Sequence, residues 1–172
     1  MEITRGLTEK GLADVKEVTE LLKDEGIEVY VSSPYRRAII TIEAMASSTG
    51  HIVTTLEELK EQVFSNSETR MPDDELVPLL IKLYDDFNFA GPGGESNKDC
   101  QTRAINSMNK IISSNKGKKI AVGTHGAIMT LILGYYHKQY NLDFLLKLSK
   151  PDIYKMVFNG NILVEVERIW ES

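Results

Sequence analysis

Apolar positions recur along this chain in two alternating rhythms, one spaced for helices and one for strands. Leu12, Val15, Val18, Leu21 and Leu22 share one face of a helix expected over about 9–25, with Thr8 placed to cap it and Gly26 to end it. Ile27-Glu28-Val29-Tyr30-Val31 follows as a β-branched strand and runs straight into Ser32-Ser33-Pro34. Pro34 suits the first turn of a second helix, which buries Ala38, Ile42, Met45 and Ala46 and stops near Gly50. His51 to Thr55 reads as a short second strand.

The pattern then loosens. Leu76, Leu79, Leu80 and Leu83 predict a helix that Pro78 must either start or kink. Gly91-Pro92-Gly93-Gly94 is a loop, after which Ser96 caps a helix carrying Ala104, Met108, Ile111 and Ile112. Lys119 to Gly123 is a third strand, followed by a helix through Leu131 and Leu133. Asn159-Gly160 lies between two β-rich runs, the strongest short-range hairpin signal. Strands feeding directly into helices, with no repeat or linker, predict one α/β domain over residues 1–172.

Composition narrows the function classes. With 42% hydrophobic and 26% charged residues, the chain is ordinary for a soluble globular protein. A net charge of −5 argues against nucleic acid as a partner, yet leaves room for a small cationic pocket. No apolar run approaches the roughly 20 residues that span a bilayer, and the start lacks a signal peptide's regions. One cysteine, Cys100, permits no internal disulfide. Together these predict a cytoplasmic protein with no membrane partner. The three histidines, His51, His125 and His137, form no paired ligand spacing, so no metal is expected.

The candidate chemistry lies where strands meet helices. In open α/β sheets ligands gather beyond the carboxyl ends of strands, and helix N-termini there favour anions. Two polar segments occupy that position, one after Val31 and one after Val122. Arg37 can hold a phosphoryl group through two parallel charged hydrogen bonds. The helix dipole opposes a cation at that end by roughly 0.3–1 kcal/mol. A nearby anion accounts for Arg37; a plain surface charge is the alternative. His125 opens an apolar helix between Gly123 and Gly126, either as a catalytic imidazole or as a structural one bonded to backbone. Its place at a helix start favours the neutral form. Glu61 is followed by Gln62-Val63-Phe64 and stands near Glu57 and Glu58, where a solvated acidic run is the bland explanation. Glu95 is either a pocket residue or a carboxylate favouring a helix N-terminus.

Taken in order, Ser32-Ser33-Pro34-Tyr35-Arg36-Arg37-Ala38, Gly93-Gly94-Glu95-Ser96 and Gly123-Thr124-His125-Gly126 resemble the motifs of the histidine phosphatase, or phosphoglycerate-mutase-like, family. The resemblance extends from Leu7 onward, where Leu7-Thr8-Glu9-Lys10-Gly11 matches in part. It implies a three-layer α/β/α sandwich around a mostly parallel mixed sheet. It also implies no cofactor, and phosphate or a phosphorylated small molecule as the ligand. By the same resemblance Arg37 binds phosphate, His125 bonds the transferred oxygens, and Glu61 is the general acid. Glu95, Ser96 and Ser33 would shape the substrate pocket. Arg36 falls on a variable position.

One expected motif is not in this sequence. The family opens with a strand ending in Arg-His-Gly, whose histidine is the nucleophile, whereas here Met1-Glu2-Ile3-Thr4-Arg5-Gly6 leads into Leu7. Arg5-Gly6 has neither the histidine nor a preceding strand. The expectation is therefore a truncated member lacking its first strand, with little or no phosphoryl-transfer activity. Two alternatives stand beside it. A segment upstream could supply the nucleophile and make a phosphomonoesterase, or less readily a mutase. A non-catalytic protein could instead bind a phosphate ligand or a partner. Loss of an internal strand would leave backbone groups unpaired, about 1–3 kcal/mol each if buried, and would invite homodimer formation through the exposed edge.

Overall fold

The computed structural model describes residues 2–171. Helix α1 (Glu9–Leu22) begins where Thr8 accepts a hydrogen bond from the Gly11 N–H. β1 (Val29–Ser32) leads to α2 (Arg36–Ser48) and β2 (Val53–Thr55). A short 3₁₀ turn (Glu57–Leu59), α3 (Asp73–Asp85) and α4 (Asn97–Ser114) follow. β3 (Ile120–Gly123), α5 (Gly126–Tyr136), α6 (Leu142–Lys147) and the hairpin β4 (Tyr154–Asn159) and β5 (Ile162–Arg168) complete the chain.

The expected elements form, with local shifts at their ends. α2 starts at Arg36 rather than at Pro34; the Tyr35 cap residue is extended, and the Ser33 hydroxyl accepts the Tyr35 N–H instead. Pro78 sits inside α3, where it forgoes one i→i−4 bond but does not end the helix. The hairpin turn centres on Gly160 and Asn161, since Asn159 already pairs with Ile162. Gly160 alone has positive φ there, at 61°, the pattern of a type II′ turn. α6 lies in a stretch where no helix was expected; Asn141 caps it by accepting the Phe144 N–H.

The strands make two sheets: parallel β2-β1-β3 and antiparallel β4-β5. Alternation along β1 divides the core between two faces. Tyr30 packs with Ile42, Met45, Ala46 and Ala121 beneath α2, and Leu22 of α1 joins this cluster. Val31 faces the opposite way, into a larger cluster of Leu59, Cys100, Ala104, Met108, Ile128 and Leu131 beneath α4 and α5. Helices therefore cover the parallel sheet on both faces, as a sheet with near-continuous apolar strands requires. The carboxyl ends of β1 and β3 lie side by side, in the register Ser32 to Gly123.

Candidate active site

Adjacent strand ends bring the two motif loops together. The Ser33 N–H donates to the Gly123 carbonyl at 2.8 Å, tying the end of β1 to β3. A Cβ on Gly123 would lie 3.0 Å from both the Ala38 carbonyl oxygen and Ser32 Oγ, so glycine allows α2 and β3 to meet. Across this seam His125 Nε2 and Ser33 Oγ share a buried hydrogen bond of 2.8 Å. The Tyr35 ring packs 5.0 Å from the imidazole, and the Arg37 guanidinium lies 4.9 Å from the same ring. Burial, followed by the charge of Arg37, pushes the His125 pKa down to about 3. The imidazole is neutral at physiological pH, as its place at a helix start implied.

The anion that the sequence suggested beside Arg37 comes from the chain itself. Arg37 Nη1 donates to the Glu2 carbonyl at 2.9 Å and lies 3.1 Å from its carboxylate. Burial lowers the Arg37 pKa from its ordinary value, and Glu2 opposes that shift. Arg36, by contrast, is half-exposed and pairs with Glu43.

Among the acidic candidates, structure separates Glu61 from its neighbours. Glu57 and Glu58 are exposed. The Glu61 carboxylate turns inward to the start of α5, accepting the Ile128 N–H at 3.1 Å and the Ala127 N–H at 3.3 Å. It also accepts the Gln62 N–H at 2.9 Å. These N–H groups favour the anion, yet burial outweighs them and pushes the Glu61 pKa up. Glu61 thus combines two groups of a helix N-terminus with a carboxyl inclined to hold its proton.

Glu95 and Ser96, expected to shape the substrate pocket, do not line the cavity that Arg37, Glu61 and His125 share. Glu95 accepts the Val63 N–H and a two-bond clasp from Arg103, at 3.0 Å to Nε and 2.5 Å to Nη2. The clasp holds its pKa down despite burial. Ser96 caps α4 by accepting the Asp99 N–H. Ser33 is wholly buried and meets the site through His125.

Arg103 was missed by the sequence reading. It also donates to the carbonyls of Glu58, Lys60 and Glu61, holding the segment that presents Glu61. Its one available signal was a charge beside the apolar stripe of α4. Thr124 adds a second tie, donating to the Leu59 carbonyl at 2.9 Å. Gly94 allows the acidic loop to close on this segment: a Cβ there would lie 2.6 Å from the Phe64 carbonyl oxygen. Among the described residues, no group of three or more His, Cys, Asp or Glu could hold a metal ion, and no helix is long and apolar enough to cross a membrane.

The family model of the histidine phosphatase superfamily (branch 1) matches residues 4–161. The chain belongs to that superfamily. Its fold is similar to that of Bacillus stearothermophilus YhfR, with a TM-score of 0.76 and 21% identity over 95% of this chain and 86% of that one. Phosphoserine phosphatase from Entamoeba histolytica, solved with 3-phosphoglyceric acid, gives a TM-score of 0.75 at 21% identity, over 92% and 81% of the two chains. The α-ribazole phosphatase of Shigella flexneri gives 0.72 at 18%, over 94% and 83%. No curated protein matches in sequence. As a histidine phosphatase superfamily member, the chain has its α/β scaffold and mainly parallel sheet, and the mixed sheet lies in two pieces.

Proposed function

We propose that this superfamily member binds phosphate or a phosphorylated small molecule between Arg37 and His125 and, by itself, transfers phosphoryl groups little or not at all. One observation carries the reading. Arg37, His125 and Glu61 line one cavity, and His125 is the only histidine lining it among the described residues. Arg37 supplies charged hydrogen bonds to the anion, which displaces the Glu2 carboxylate held there at 3.1 Å, and neutral His125 supplies one more. Glu61 is the group suited to protonating a leaving oxygen.

A phosphohistidine route needs a second imidazole to attack phosphorus. His51 is engaged with Thr49 at 2.9 Å, at the entry to β2, and His137 lies at the far end of α5. Cys100 is buried, and its thiol pKa is pushed up by burial. Loss of a nucleophile from a cooperating set costs roughly 10⁶-fold in turnover. A soluble cytoplasmic setting and a single domain over residues 1–172 complete the proposal, with no cofactor.

Titration with inorganic phosphate and with orthovanadate, followed by calorimetry, tests the binding. Arg37→Ala should weaken either anion by about 10-fold or more, the loss of a charged hydrogen bond. Assay with p-nitrophenyl phosphate tests the chemistry. Robust turnover abolished by His125→Ala would overturn the inactive reading. The solved complex of phosphoserine phosphatase with 3-phosphoglyceric acid supports a second reading, a phosphomonoesterase completed by an upstream strand ending in Arg-His-Gly. An in-frame segment of that kind ahead of Met1 favours it, and a stop codon there defeats it.

A further inference from the structure

Two guanidinium groups converge on one carboxylate oxygen at the edge of the candidate site. Glu2 Oε2 lies 3.1 Å from Arg37 Nη1 and 3.3 Å from Arg5 Nη2. Two further bonds fasten this segment to the first turn of α2. Arg37 Nη1 donates to the Glu2 carbonyl at 2.9 Å, and the Arg36 N–H donates to the Ile3 carbonyl at 2.8 Å. Glu2 and Ile3 both line the cavity that Arg37, Glu61 and His125 share. The carboxylate is therefore held at the guanidinium by its own backbone, and only 26% of its side chain is exposed.

The charges at this point do not balance. Arg37 and Arg5 bring two positive charges to a single negative one. Glu61, the other carboxyl whose charge reaches Arg37, is buried and inclined to keep its proton. His125 adds no charge, because burial keeps it neutral. An anion of charge two that replaces the Glu2 carboxylate matches both guanidiniums. An anion of charge one only exchanges one pairing for another, and it must also beat a tether. A group attached through a short stretch of chain competes at an effective concentration of about millimolar or above. A free carboxylate gains nothing by taking its place.

We propose that Glu2 is a specificity-determining residue of the phosphate site, a tethered carboxylate that a doubly charged phosphoryl group displaces and singly charged anions do not. Arg37 is the guanidinium for which they compete. Such a residue differs from a binding residue in sign, because removing its charge improves ligand binding. Glu2 can play this part only if phosphate binds at Arg37, as proposed above, and the two readings fail in different ways.

The probes are methyl phosphate, a monoester doubly charged above about pH 6, and formate, which carries one charge. By calorimetry at neutral pH, Glu2→Gln should bind methyl phosphate about fivefold or more tighter than the unaltered chain. Excess formate should leave methyl phosphate binding by the unaltered chain unchanged. In Glu2→Ala it should weaken that binding about threefold or more, by refilling the vacated place. Glu43→Gln makes the same charge change beside Arg36, outside the cavity, and should shift affinity by less than about twofold. Circular dichroism confirms folding, and Glu2→Gln decides if Glu2→Ala unfolds. Unchanged or weaker binding by Glu2→Gln overturns the proposal and leaves phosphate binding standing. So does an equal gain in Glu43→Gln, which makes the effect one of net charge, or equal formate competition in the unaltered chain and Glu2→Ala. Absence of saturable methyl phosphate binding by every folded variant overturns both readings.

Discussion

The parallel sheet and the β4-β5 hairpin are built by opposite means. β1 and β3 have helices on both faces, and their neighbours Leu59, Ile128, Leu131 and Leu133 are almost completely buried. The hairpin is folded by its own turn, and Ile162 and Val164 remain 70% and 58% exposed. The first region draws its order from contacts distant in sequence and the second from contacts close in sequence. The candidate site belongs to the first, because a constellation of side chains needs a rigid frame.

The contrast should be plainest in the core. Leu131→Ala leaves a cavity beneath α5 and should cost about 2–5 kcal/mol in urea unfolding. Val164→Ala in the hairpin should change stability by under about 0.5 kcal/mol. Equal losses would break the comparison. Ion pairs sharpen it next. Arg103→Ala removes the clasp on Glu95 and on the Glu61 segment, and should cost roughly 1.5–3 kcal/mol. Arg168→Ala, at a half-exposed and solvent-screened pair with Asp152, should cost clearly less than Arg103→Ala.

Acid should act through the covered half as well. The unfolded His125 imidazole takes a proton below about 6.5, but the folded one waits until about 3. Between those values the unfolded chain binds more protons, so acidification should cost about 1.4 kcal/mol per pH unit from this group. Glu61 acts in the other sense: its raised pKa keeps a proton in the folded state above 4.5, so it costs stability as pH rises beyond that value. Unfolding free energies of His125→Asn across pH 3–7 should lack the histidine slope. The smallest effect in this half is at the helix cap, where Ser96→Ala should cost about 1 kcal/mol.

Much of the architecture was legible in the sequence. The strand–helix units, the Thr8 and Ser96 caps and the hairpin follow from local patterns, and their boundaries moved by only a few residues. Pro34 illustrates the limit, since the Ser33–Tyr35 turn delays α2 until Arg36. α6 was missed because its six residues carry too short a pattern against a polar background. In the site, Arg37 and His125 were legible because each follows a strand and carries its motif. Glu61 could not be separated from Glu57 and Glu58 by spacing, because its distinguishing contact is with α5, more than 60 residues away.

What the sequence by itself determined is the local order of elements, the family, and the placement of Arg37 and His125 at strand ends. These rest on propensities and periodicities that act over a few residues. Tertiary structure alone decided that Glu61 reaches the start of α5, that Arg103 clamps its segment, and that the Glu2 carboxylate sits on Arg37. Such pairings join groups from 8 to 67 residues apart, through charge, burial and hydrogen bonding that act through space rather than along the chain.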